Sequence, residues 1–164
     1  MMRRRNRERF VRDAQGRFHP HLQQHERELL AELPSQAMGL LSDVDPAAKR
    51  LYPVAYPDDE MAEKEYRSVT GESLQARHRL CLDALAETAH DESIDEPKLQ
   101  QWMGALEVLR LVLGTQLDVS EDMAEIDALD PRAPQFAVYA YLSMLQGEII
   151  DALAATLPPA SEMH

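Results

Sequence analysis

The sequence predicts an all-α domain, a bundle of about five helices with a small N-terminal β-hairpin. Three observations carry the prediction. Aromatic residues make up only 5% of a chain that is 45% hydrophobic, so Ala and Leu, which favour helix over strand, supply much of the apolar content. From His21 onward, apolar residues recur at three- and four-residue spacing. Proline- and aspartate-rich turn signals fall between most of those stretches, although Pro34 interrupts the first. At 164 residues the chain is about one domain long and can bury a core.

Residues 1–19 read as a basic arm with a possible β-hairpin, residues 20–157 as a single helical domain, and residues 158–164 as a frayed tail. In RFVRDAQGRFH, Phe10 and Phe18 lie on two short runs around Asp13-Ala14-Gln15-Gly16. Gly16 can take the positive φ that such a turn needs. Leu22, Leu29, Leu30 and Leu33 mark the first helix, which Pro34 either kinks or divides, with helical pattern running to about Ser42. A turn-rich connector follows. Asp58 is expected to cap a short helix with Asp59 and Glu60 in its first turn, and Glu60–Lys64 and Glu63–Arg67 as i,i+4 pairs. A separate, longer helix is expected over 70–90, lined by Leu74, Cys81, Leu82 and Leu85 with Leu80 beside them.

Asp95 or Glu96 is expected to cap the next helix, with Pro97 in its first turn. It runs over 98–113 and is the most apolar, with Leu99, Trp102, Met103, Leu106, Leu109, Val112 and Leu113 along it and Gly114 at the end. Ser120 is expected to cap a single turn. The last helix is expected over 135–157, with Phe136, Tyr139, Leu142, Leu145, Ile149 and Leu153 inward. Val138, Tyr141, Met144 and Ile150 widen that stripe beyond one face, which calls for a central position or a second partner. The width predicts a homodimer, with Trp102, Tyr139 and Tyr141 as interface anchors.

The net charge of −12 conceals an asymmetry. Arg3, Arg4, Arg5, Arg7, Arg9, Arg12 and Arg17 face only Glu8 and Asp13 in the first 19 residues, giving +5, while the remainder carries −17. No run of about 18 apolar residues is present, so no membrane span is expected. No apolar stretch follows the basic start, so no secretory signal is expected. Cys81 is the only cysteine, which excludes an intramolecular disulfide. A cytoplasmic location fits these features.

Four sets of residues could carry chemistry. Glu60-x-x-Glu63 and Glu148-x-x-Asp151 have the one-turn spacing with which helical nucleotide pyrophosphatases hold magnesium. This makes a metal-dependent hydrolase the alternative reading, although the two pairs lie far apart in sequence. His19, His21 and His25 could grip a metal from one helix face, but surface histidines at a helix entry are the plainer account. Cys81 has Arg77 and His78 within a turn, yet LCL on an apolar face reads as a small core side chain. The crowded arginines suit an anionic partner: a protein surface, nucleic acid, or the acidic body of the chain itself. No pattern calls for a cofactor or a resident metal.

Three segments together resemble one family. DPAAKRLYPVAYPDDEMAEKEYRSVT, LRLVLGTQLDVSED and VYAYLSMLQGEIIDAL match its motifs in family order, over about Phe10 to Leu153. The family is the actinobacterial, oxidative-stress-responsive (AosR-like) regulator family, long catalogued as a domain of unknown function. The resemblance implies a cytoplasmic, non-enzymatic regulator that contacts the transcription machinery. It also marks Arg50, Asp58, Asp59, Glu65, Arg67 and Arg110 as matching positions. The redox-sensing form of the family relies on a cysteine pair near the N-terminus, where this chain has arginines. Gln116 and Asp118 stand where the family has Arg and Gly.

Arg110 falls in an apolar helix, where a lone charge is costly. A carboxylate among Asp58, Asp59 and Glu65 is therefore expected to pair with it and anchor the short helix to the central one. The sequence thus reads as a non-enzymatic regulatory or adaptor protein. Its expected partner is a protein, with nucleic acid as a second possibility through the arm.

Overall fold

A computed structural model describes residues 8–39, 57–117 and 129–157, without the side chains of 67–73. Arg3, Arg4, Arg5, Arg7 and Arg50, the expected turn at Ser120 and the tail lie outside the described residues, as does the side chain of Arg67. The described elements are strands β1 (Phe10–Arg12) and β2 (Phe18–Pro20) and helices α1 (Gln24–Met38), α2 (Glu60–Thr88), α3 (Glu96–Gln116) and α4 (Ala133–Ala154).

The hairpin forms for local reasons. Asp13 accepts from the backbone N–H of Gln15 at 2.8 Å and of Arg17 at 3.0 Å, and Gly16 takes φ +84°. The antiparallel register pairs Phe10 with Pro20, Val11 with His19 and Arg12 with Phe18. Phe18 also exchanges backbone hydrogen bonds of 2.8 and 2.9 Å with Ile94 in the α2–α3 connection. Phe10 and Phe18 are both buried, and the Phe10 ring meets Trp102 edge-on at 6.1 Å. The hairpin is therefore part of the helical core. A boundary after residue 19 would cut through β2.

Around α3 the other three helices pack. Asp95 caps it by accepting from Lys98 N at 2.9 Å, and Pro97 lies in its first turn. Leu99, Trp102, Ala105, Leu106, Val108, Leu109 and Val112 are buried along it. The indole N–H of Trp102 donates to Thr88 Oγ1 at 2.7 Å, which satisfies its one polar atom in the interior. Full burial rules Trp102 out as an interface anchor.

Two boundaries differ from expectation, and the alternative left open at Pro34 is decided. The expected helices over 58–67 and 70–90 are one 29-residue helix, capped by Asp59 rather than Asp58. A single Gly such as Gly71 costs a helix only about 1 kcal/mol, less than the burial of Leu82 and Leu85 contributes. Pro34 sits inside α1 near its C-terminus without dividing it. Gly114 does not end α3; it is buried in the last turn.

Candidate functional site

The arginines of the N-terminal stretch divide by role. Arg9, just ahead of β1, reaches Glu148 of α4 at 3.2 Å and Glu26 of α1 at 3.7 Å. Arg17 donates through Nε to Ser93 Oγ at 3.0 Å and through Nη2 to the Ser93 carbonyl at 3.1 Å. Both groups are thus engaged within the fold. The side chain of Arg12 is exposed and makes no hydrogen bond or ion pair with another described residue.

Around Arg9 lies a polar cavity of about 640 Å³, lined in part by His21, Gln23, Glu26, Arg27 and Glu148. Glu26 is buried. One of its oxygens accepts from Gln23 N at 2.7 Å at the start of α1, and the other faces Arg9. The hydroxyl of Tyr141 is buried and makes no hydrogen bond of good geometry. Burial first, and the negative charge of Glu26 second, push its ionisation well above the ordinary phenol range. Arg27 donates to the carbonyls of Pro20, Ala89 and Asp91 at 2.7–3.0 Å, tying hairpin, α1 and the end of α2 together.

Arg110 does not take the partners expected for it. Its Nε donates to Ser143 Oγ at 2.9 Å, its Nη1 donates to Gln146 Oε1 and lies 3.6 Å from Glu107, and it sits over the Tyr139 ring at 5.6 Å. Gln146 in turn donates to Glu107 at 2.7 Å. The network joins α3 to α4. Asp58, Asp59 and Glu65 are exposed on the first turns of α2 or just before it, and Asp59 accepts from Ala62 N at 3.1 Å. Arg110 needs no distant carboxylate because Glu107, one turn back, and neutral acceptors on α4 solvate it.

The other candidates are dispersed. Glu148 is held by Arg9, and Glu60 and Glu63 lie in the first turn of α2. His19 donates to Asp13 at 2.8 Å. Among the described residues no group of three or more His, Cys, Asp or Glu could hold a metal ion. Cys81 is half-buried against α3, where a Cβ on Gly104 would stand 2.8 Å from its Sγ. Burial pushes the Cys81 thiol up, against a smaller opposing effect of Arg77. That is the opposite of what an activated nucleophile requires. No described helix is long and apolar enough to cross a membrane.

Sequence reasoning missed Glu26, Arg27 and Gln146. Gln146 left a readable signal, as a polar residue inside the inward stripe of Leu142, Leu145 and Ile149. Glu26 also left one, three residues after Gln23 at a helix start.

The family model described as "Domain of unknown function (DUF2017)" matches residues 5–153. Relatives from Mycobacterium bovis and Mycobacterium tuberculosis, each named oxidative stress regulator AosR, are 26% identical over 176 aligned residues. The alignment covers 82% of this chain and 81% of each relative. No solved structure matches. With the family's motifs in order along a fold they span almost entirely, the chain belongs to the DUF2017 family.

Proposed function

We propose that the chain is a non-enzymatic regulatory protein of a stress response, and that it works by holding a protein of the transcription machinery. The similarity to relatives named as oxidative stress regulators, over most of both chains, supports the regulatory class. The observation that carries the reading is the anchored hairpin. Arg9 and Arg17 fix it to α4, α1 and the α2–α3 connection, so the stretch holding Arg3, Arg4, Arg5 and Arg7 is joined to a fixed point of the core. Arg12 stands exposed beside it. Arginine forks pair bidentately with carboxylates, which suits an acidic protein surface. Cys81 is a single thiol, so the stress signal is not read through an internal disulfide, which leaves an intermolecular Cys81 bridge or a signal that is not a thiol.

The test is capture of purified RNA polymerase and its sigma factors by the full chain and by a variant with Arg3, Arg4, Arg5 and Arg7 changed to Ser. Binding by the full chain, lost in the variant at unchanged circular dichroism, is the expected outcome. Equal binding by both, or none by either, overturns the reading. Tighter binding to duplex DNA, falling steeply with salt, would make the arm a nucleic-acid contact instead.

A further inference from the structure

Apart from Asp151, the outward face of α4 is apolar. Ala137, Ala140, Met144, Gly147, Asp151 and Ala154 recur at spacings of three and four and are all exposed. The helix has only two charged side chains, Glu148 and Asp151, in 22 residues, and Arg9 holds Glu148. A solvated helix face ordinarily carries charge on this side. Here Met144, 44% exposed, stands at the centre, with Ile150, 48% exposed, at the edge. Beside Met144 the position of Gly147 is open: a Cβ there would meet no atom within 4 Å.

We propose that this face binds the same face of a second copy, with the two α4 helices antiparallel about a two-fold axis between Met144 and Gly147. The positions are self-complementary about that axis. Met144 falls opposite Gly147 of the second copy, Ala137 opposite Ala154, and Ala140 opposite Asp151. Each long, adaptable Met side chain enters the gap that a glycine leaves, and the contact closes on itself.

Charge supports the same arrangement. Arg9 Nη1 lies 3.7 Å from Met144 Sδ and 3.2 Å from Glu148, so an ion pair borders the apolar strip. The two-fold axis sets that pair beside its own copy with opposite polarity, positive towards negative.

The area sets the strength. At 1.5 Å per residue α4 is roughly 33 Å long. A strip about 12 Å wide then covers about 400 Å² per copy, half of the roughly 800 Å² that a standard interface takes from each partner. The hairpin packs beside α4 and exposes Val11, which widens the strip. A contact of this size belongs with weak, transient interfaces, so the dimer should form only at high protein concentration.

Sedimentation equilibrium of the full chain from low to high micromolar concentration should show monomer giving way to dimer. Met144→Glu and Gly147→Glu alter exposed positions, so circular dichroism and melting temperature should not fall. Each puts two carboxylates into the strip and should weaken association by at least about tenfold. In a Cys81→Ser background, Met144→Cys mixed with Gly147→Cys should cross-link under mild oxidation faster than either variant alone. A wild-type chain that stays monomeric throughout, or a dimer that survives both glutamates, overturns the proposal. Cross-linking of Met144→Cys to itself as fast as the mixture overturns the antiparallel register.

Discussion

The link between α3 and α4 can be dissected with a double-mutant cycle on Arg110 and Gln146. Arg110→Met keeps most of the aliphatic stem and removes the guanidinium. It leaves Gln146 Oε1 without its donor, on a residue only 8% exposed. An orphaned buried acceptor costs about 1–3 kcal/mol. The Arg110 side chain is itself 29% exposed, so water reaches part of the network, and about 2 kcal/mol is the expected loss. Gln146→Leu leaves the guanidinium its contacts to Ser143, Tyr139 and Glu107, and should cost about 1 kcal/mol. The double variant leaves no buried acceptor unmatched, and Glu107 is exposed enough to be hydrated. Its loss should therefore be less than the sum of the single losses, with a coupling of about 1–2 kcal/mol. Urea unfolding followed by far-ultraviolet circular dichroism measures all four corners. Additivity to within about 0.3 kcal/mol would refute the claim that the two side chains satisfy each other.

Phe18→Ala removes a buried ring that joins the hairpin to the core, and should cost about 3 kcal/mol or more by the same denaturation assay; an unaffected midpoint would mean the hairpin is an appendage. Gly104→Ala should fail to stabilise α3 while Cys81 is present, yet raise stability by up to about 1 kcal/mol in a Cys81→Ala background; gains of equal size in both would show that the close approach carries no strain. Tyr141→Phe deletes a buried hydroxyl without a good partner, so thermal melting should be unchanged or slightly raised, and a clear fall would reveal a hydrogen bond to that oxygen. Asp13 is held below its ordinary 3.8, first by the His19 hydrogen bond and then by the Arg17 N–H. A lowered folded-state pKa contributes stability that is present above the unfolded value and lost as pH falls through the folded one. Asp13→Asn should therefore flatten the acid limb of melting temperature against pH in that window, and parallel curves would refute the assignment.

Helix identity was legible where it depends on local chemistry. The stripes of α3 and α4, a cap at Asp95 or Glu96 with Pro97 behind it, and the Asp13–Gly16 turn all follow from residues within a turn or two of one another. The continuity of α2 through 67–73 was not legible. Ser68, Val69, Thr70 and Gly71 are weak helix formers, and the burial that offsets them is that of Leu82 and Leu85, more than ten residues further along the helix. The same limit hid the surroundings of Arg110. Ser143 and Gln146 are 33 and 36 residues away, and nothing in a one-dimensional pattern selects them over 29 acidic side chains. Arg9 and Arg17 read as part of a charged arm because their neighbours in sequence are arginines. Their contacts in space lie 139 and 76 positions further on.

Those separations also order events during synthesis. β1 and β2 can turn back on each other as soon as they leave the ribosome, but Phe18 has no bridge until Ile94 emerges and Phe10 has no ring to meet until Trp102 does. At roughly 5–20 residues per second, the two phenylalanines wait several seconds in water. Arg9 waits for Glu148, after nearly the whole described chain has been made. Arg9 can reach Glu26 once α1 is made and Arg17 can reach Ser93 before α3 is complete, so of these described contacts only Arg9–Glu148 waits for α4. Helix α4 thus supplies a described contact of the hairpin stretch from 139 positions beyond Arg9.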